Sequence, residues 1–217
     1  MIKGIAPWAG MLGTALFVLS LTINGFLRSN YSPTRMYISE LSIGAQGWIQ
    51  IVSFILLGFS IVVFALGLKA VFPTGKASRA APILFVIIGV CYVLSGPFVT
   101  DPAAMFDNQQ TLHGILHGIF GAIVFSLSAA VCFVLWRCFR ADENWKSLAH
   151  FALISGIGMT VLIVLMKLGQ LQPGLLQTYA GLVQRGCLGL SYALVFAVSW
   201  RMRRLAKGTE LCCKERR

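Results

Sequence analysis

Apolar residues run almost without interruption through six stretches of this chain: Ala6 to Leu27, Trp48 to Leu68, Ala80 to Thr100, Leu112 to Trp136, Leu148 to Leu168 and Tyr179 to Trp200. Each is about 20 residues or slightly more, enough for a helix to cross roughly 30 Å of hydrocarbon. The pattern predicts an all-α polytopic membrane protein: a six-transmembrane-helix bundle over residues 1–205, then a basic cytoplasmic tail at 206–217. The first stretch runs past the usual length of a signal-peptide core, lacks a small-x-small cleavage site and is followed by five more, so it is expected to stay as a span.

The polar exceptions fall at one level. If the spans alternate up and down, Asn24, Glu40, Asp101, His113, His117, Lys167, Gln170, Gln184 and Arg185 all gather near the outer face. Ionisable groups inside a membrane are costly and usually line an interior path or site. His113 and His117 are four apart and share a helix face with Gly114 and Gly118. Arg185 lies one turn from Gly181 and Gly189, and Lys167 shares a face with Thr160 and Gly156. Small residues beside a charge predict helix contact there, so these groups are expected to point into the bundle. The same small-residue faces could pair with a second copy of the chain. Lys167, close to its helix end, has the alternative of snorkelling to the interface.

Two outer connections carry local signals. Ser32-Pro33 reads as an N-cap with proline at the first helical position, running towards Ile38-Ser39-Glu40-Leu41-Ser42. Asp101-Pro102-Ala103-Ala104 repeats that logic after a Gly96-Pro97 break. Both predict short interfacial helices that roof the bundle, with Ser39 and Ser42 available to cap the second span.

Composition narrows the class. With 57% hydrophobic and 12% charged residues, and a mean hydropathy of +0.79, the chain is not a soluble globular domain. The net charge of +11 raises nucleic acid as a partner, but its distribution points to membrane lipids. With the amino terminus inside, fourteen cations fall on the inner segments and tail, and only Arg28 and Arg35 in outer loops. That bias predicts both termini in the cytoplasm. Cysteines are absent from the outer loops, so no structural disulfide is expected. The Cys212-Cys213 pair lacks a second pair at metal-site spacing.

Three chemistries compete for the outer residues. A histidine pair four apart begins a zinc site, with a third ligand from Asp101, Asp107 or Glu40, although Lys167 and Arg185 raise the potential where a dication would bind. Ser39 or Ser42 could act as nucleophile with His113 or His117 as base and Asp101 as orienter, but no elbow motif marks either serine. His150 lies near the inner face, away from the other two histidines, and a haem would need opposed histidines at one depth. The third reading is a non-catalytic pocket of Glu40, Asp101, His113, His117, Lys167, Gln184 and Arg185. It would take a small polar ligand or an anionic or zwitterionic lipid head group, in a sensing or transport-related role that needs no cofactor. A purely structural network of the same residues completes the alternatives.

Ile38-Ser39-Glu40-Leu41-Ser42 before Gly47-Trp48, the Asp101-Pro102 step, His113-Gly114 with His117, and Gly181-Leu182-Val183-Gln184-Arg185 together resemble a bacterial integral-membrane family. That six-span family is catalogued as a domain of unknown function (number 998). The resemblance spans nearly the whole chain. It implies the six-span fold and the bacterial plasma (inner) membrane, and supports these residues as a signature set without supplying an activity. A fainter similarity to the alkaline ceramidase superfamily implies a metal-dependent hydrolase acting on a lipid, with zinc held by a serine, an aspartate and three histidines on seven spans. Ser39, Asp101, His113 and His117 match in residue type; a third outer histidine and a seventh span have no counterpart here.

Overall fold

The computed structural model describes residues 2–71, 76–102, 110–171 and 174–214. Asp107 and the Ala103-Ala104 segment lie outside them, as do the side chains beyond Ala206, Cys212 and Cys213 included. The described chain is helical throughout: α1 Ile2–Leu27, α2 Gly47–Val71, α3 Lys76–Ser95, α4 Leu112–Phe139, α5 Ala149–Leu171, a single turn α6 Leu175–Thr178, and α7 Ala180–Lys214. Short 3-10 turns sit at Ile38–Ser42 and Lys146–Leu148.

Among the described residues five helical stretches are long and apolar enough to cross a membrane: Gly4–Leu27, Gly47–Val71, Leu112–Phe139, Lys146–Leu171 and Ala180–Ala206. The apolar part of α3, Arg79–Ser95, is shorter. It stops before the expected Thr100 because Gly96 weakens the helix and Pro97 has no N–H to continue it. α7 runs past residue 205 without a break, so span and tail share one helix.

The long helices stand in chain order around a ring, each packed on the next, with α7 closing the ring between α5 and α1. One end of the ring carries the connection at 28–46 and the described residues 96–102 and 110–111; the other carries the start of α1 and the far end of α7. Large apolar side chains line the outside, among them Leu16 (60% exposed), Phe59 and Ile154. In lipid such a surface is solvated and association rests on interior packing, polar contacts and close backbone approach. Inside, an aromatic layer links four helices. Phe17 lies 5.6 Å from Phe54 and 5.5 Å from Tyr192 between ring centroids, and the Tyr92 and Tyr192 hydroxyls are 3.0 Å apart. Nearer the termini, Phe64 meets Phe85 edge-on at 5.1 Å.

Phe64 is fully buried, so Phe64→Ala should cost about 3 kcal/mol through lost packing. Leu16→Ala, on the exposed face, should stay within about 0.5 kcal/mol. Melting of both variants in detergent checks this; equal losses would contradict the inside-outside assignment.

Candidate functional site

The 28–46 connection is built like a roof and held from α7. Ser32 O accepts from the amides of Arg35 and Met36 at 3.1 and 2.8 Å, forming a tight turn whose Pro33, Thr34 and Met36 carbonyls accept no amide of the turn itself. α7 meets that turn with donors of its own. Its Leu182 N–H, which lacks a partner one turn back, donates to Thr34 O at 3.0 Å. Arg185 Nη1 donates to Pro33 O at 2.6 Å, Met36 O at 3.1 Å and Gly181 O at 3.1 Å, and Nη2 donates to the Tyr31 hydroxyl. A Cβ at residue 181 would overlap the carbonyl oxygens of Met36 and Pro33, so the close approach requires glycine.

Next to this clamp, Gln184 Oε1 accepts from Ile38 N at 2.7 Å, and Glu40 Oε1 accepts from Tyr37 N at 2.8 Å. Burial pushes the Tyr31 phenol up in pKa, against the pull of the Arg185 guanidinium, so it stays neutral and donates to Tyr37 O at 3.1 Å. From α5, Lys167 Nζ donates to Gln170 Oε1 at 3.1 Å, and Gln170 Nε2 donates to the Tyr37 hydroxyl at 3.2 Å. Lys167 itself is exposed, as the snorkelling alternative expects.

A second cluster joins the end of α3 to the start of α4. The buried Asp101 carboxylate accepts from Thr111 N and Thr111 Oγ1, both at 2.8 Å, while Thr111 Oγ1 caps α4 by accepting from Gly114 N at 3.0 Å. A negative charge at a helix amino terminus is electrostatically favourable. Gly114 makes room for that carboxylate and not for a neighbouring helix; Gly118 faces open space, as does Gly189 on α7. His117 is buried, with Nδ1 2.7 Å from Phe98 O and its ring 5.9 Å from Phe54. His113 is exposed and stands 5.4 Å from the Phe98 ring.

These contacts distribute the sequence candidates over two clusters. Glu40, Gln184 and Arg185 hold the roof; Asp101 and His117 hold the α3–α4 corner. Arg185 takes backbone carbonyls and a phenol as its partners. Ser42 Oγ donates to Ser39 O at 2.6 Å instead of capping α2, which begins five residues later at Gly47. Among the described residues no three His, Cys, Asp or Glu side chains converge on one point; Asp107, one of the candidate third ligands, lies outside them. The one described ion pair, Lys146 with Glu143 at 2.9 Å, is exposed at the opposite end.

Beneath the roof lies a set of which the sequence singled out Asn24, as one of the outer-level polar residues without a role, but not Gln50. Asn24 on α1 and Gln50 on α2 are 1% and 0% exposed, and neither amide finds a hydrogen-bond partner. Arg28, one turn beyond Asn24, donates from Nη1 to Ile43 O at 2.8 Å, while its buried Nε and Nη2 are unpartnered. The Ser20–Ser53 hydroxyl pair, 2.7 Å apart, fixes the α1–α2 register. One turn outward from that pair, Asn24 and Gln50 come level. A signal existed: Gln50 is the lone side-chain amide in its apolar stretch.

Long apolar helices ringed around a polar-roofed interior define a multi-pass helical membrane protein. The chain matches the family model "Protein of unknown function (DUF998)" over residues 11–201, and it belongs to that family. No curated protein and no solved structure matches it.

Arg185→Ala strips donors from several carbonyls at once. At about 1–3 kcal/mol for each buried group left unsatisfied, it should cost roughly 3 kcal/mol, at least as much as His117→Ala. Arg185→Lys should rescue only part, because an ammonium lacks the planar fork. Melting in detergent checks both; a protein sensitive to His117→Ala and indifferent to Arg185→Ala would contradict the clamp.

Proposed function

We propose that this protein binds a small polar ligand or lipid head group beneath the 28–46 roof, in a sensing or transport-related role. In this reading α3 crosses the bilayer with the other five long helices, both termini are cytoplasmic and the roof faces outward from a bacterial plasma membrane. The 14-to-2 distribution of cations supports that orientation. So do the arginine–tryptophan pairs near the termini, with Arg203 4.1 Å from the Trp8 ring and Arg140 5.2 Å from Trp136, where an interfacial belt would lie. An active carboxyl-terminal alkaline phosphatase fusion, paired with a dark fluorescent-protein fusion, would overturn it.

The observation that carries ligand binding is the pair of orphaned amides. An unsatisfied buried polar group costs about 1–3 kcal/mol, and leucine of similar size would avoid that cost. Residues that serve only packing have no need of two such groups at one level. Amides supply both donors and acceptors, so they can meet the uneven polar outline of a small molecule. The roof above them is held by hydrogen bonds to α7 and α5, contacts that can break and re-form as a ligand passes. Among the described residues Ser39 has no histidine among its hydrogen-bond partners, and Asp101 accepts from Thr111, which supports binding over hydrolysis.

The Asn24→Leu, Gln50→Leu double variant tests the reading. Native mass spectrometry of gently extracted wild-type protein should show a bound molecule that the double variant lacks, while the variant still folds. A double variant that melts higher than wild type, with no bound molecule on either protein, would reduce the amides to a packing defect.

A further inference from the structure

We infer that Arg28 reads an oxyanion, a carboxylate or phosphate group, on the ligand held by Asn24 and Gln50. The inference rests on the ligand-binding reading above and gives its ligand a chemical class. It comes from which atoms of the guanidinium are engaged and which are not.

Nη1 is taken by Ile43 O at 2.8 Å, which fixes the guanidinium plane at the point where the roof enters α2. The two groups left over are Nε and Nη2, and both are buried. They lie on the same edge of the guanidinium, the edge that pairs side-on with two oxygens of one carboxylate or phosphate. A bidentate oxyanion would satisfy both at once, with one linear hydrogen bond to each of two oxygens. Backbone carbonyls already satisfy Arg185, so the contrast between Arg185 and Arg28 is specific: one is filled by the protein and one presents an open fork.

Charge and neighbours agree. Tyr31 lies within electrostatic reach of Arg28, Arg185 and Glu40, so two guanidinium groups face one carboxylate around the roof. The Glu40 carboxylate is turned to the Tyr37 amide, 2.8 Å away, and Arg28 forms no ion pair within the described chain. One turn below the fork, Asn24 Nδ2 and Gln50 Nε2 add donors for the remaining oxygens, and Asn24 Oδ1 and Gln50 Oε1 add acceptors for a hydroxyl or ammonium on the same molecule. A phosphoglycerol-type lipid head group and a small soluble acid both carry this chemistry.

The test compares wild type with Arg28→Lys, which keeps the charge and a donor for Ile43 O but loses the fork, and with Asn24→Leu, Gln50→Leu. Native mass spectrometry identifies what each carries from the membrane. Melting is then followed in nanodiscs of phosphatidylglycerol or phosphatidylcholine, and in detergent with inorganic phosphate or acetate against chloride at equal ionic strength. The expected result is an acidic molecule on wild type, at least tenfold depleted in Arg28→Lys, and stabilisation by the matching anion that both variants lose. Stabilisation by phosphatidylglycerol alone assigns a lipid; stabilisation by phosphate or acetate in detergent assigns a soluble acid. A neutral molecule, retained by Arg28→Lys but lost from the double variant, would overturn the oxyanion while leaving ligand binding intact. No bound molecule on any protein, with no anion effect that Arg28→Lys abolishes, would overturn both.

Discussion

Arg185 donating into the carbonyls of a distant turn is the contact on which the loop end of the bundle depends. A tight turn leaves carbonyls pointing away from its own amides, and at the edge of a hydrocarbon layer water is scarce. A guanidinium in the second turn of α7 supplies several donors in one plane, and Gly181 removes the side chain that would hold the turn away. Once the turn is seated, Thr34 O also satisfies the amide of Leu182, so the start of α7 and the roof complete each other. Gln184 and Glu40 then fix Ile38–Ser42, which sets where α2 can begin.

The α3–α4 corner solves the same problem with the opposite charge. The break at Gly96-Pro97 exposes Phe98 O, which His117 Nδ1 meets, and α4 begins with amides that Thr111 and Asp101 cover. Two costly ionisable groups are thus placed where backbone groups would otherwise go unpaired. A buried charge is tolerable when hydrogen bonds surround it, whether or not an opposite charge does. That is why Arg185 and Asp101 can both sit near the loop end without pairing.

The helical class was legible because long apolar runs have few other uses, and the level of the polar residues was legible because ionisable side chains stand out against them. The partners were not. A carbonyl acceptor has no signature in sequence, so Arg185 invites pairing with Glu40 or Asp101 until the turn at 31–36 is seen. Gly114 read as a helix-contact residue because small-xxx-small spacing carries that meaning, yet its missing side chain is filled by Asp101. The end of α3 at Ser95 followed from a visible Gly-Pro step; what Phe98 O then does did not.

Asn24 stood among the outer-level polar residues but was given no role, and Gln50 was not singled out, for a related reason: amides carry no charge, and in an apolar run they look like tolerable impurities. The structure inverts that weighting. Arg185, Glu40 and Asp101 are engaged largely by backbone groups and contribute rigidity. The amides and the one open guanidinium edge, buried without partners, retain their capacity to bind. In a site held under a roof, the groups that build the roof must be satisfied first, because an unsatisfied clamp would not hold it closed. In the reading proposed above, what remains unsatisfied beneath is set apart for a ligand. Rigidity above and unspent polarity below are complementary requirements of the same site, and the division between Arg185 and Arg28 meets both.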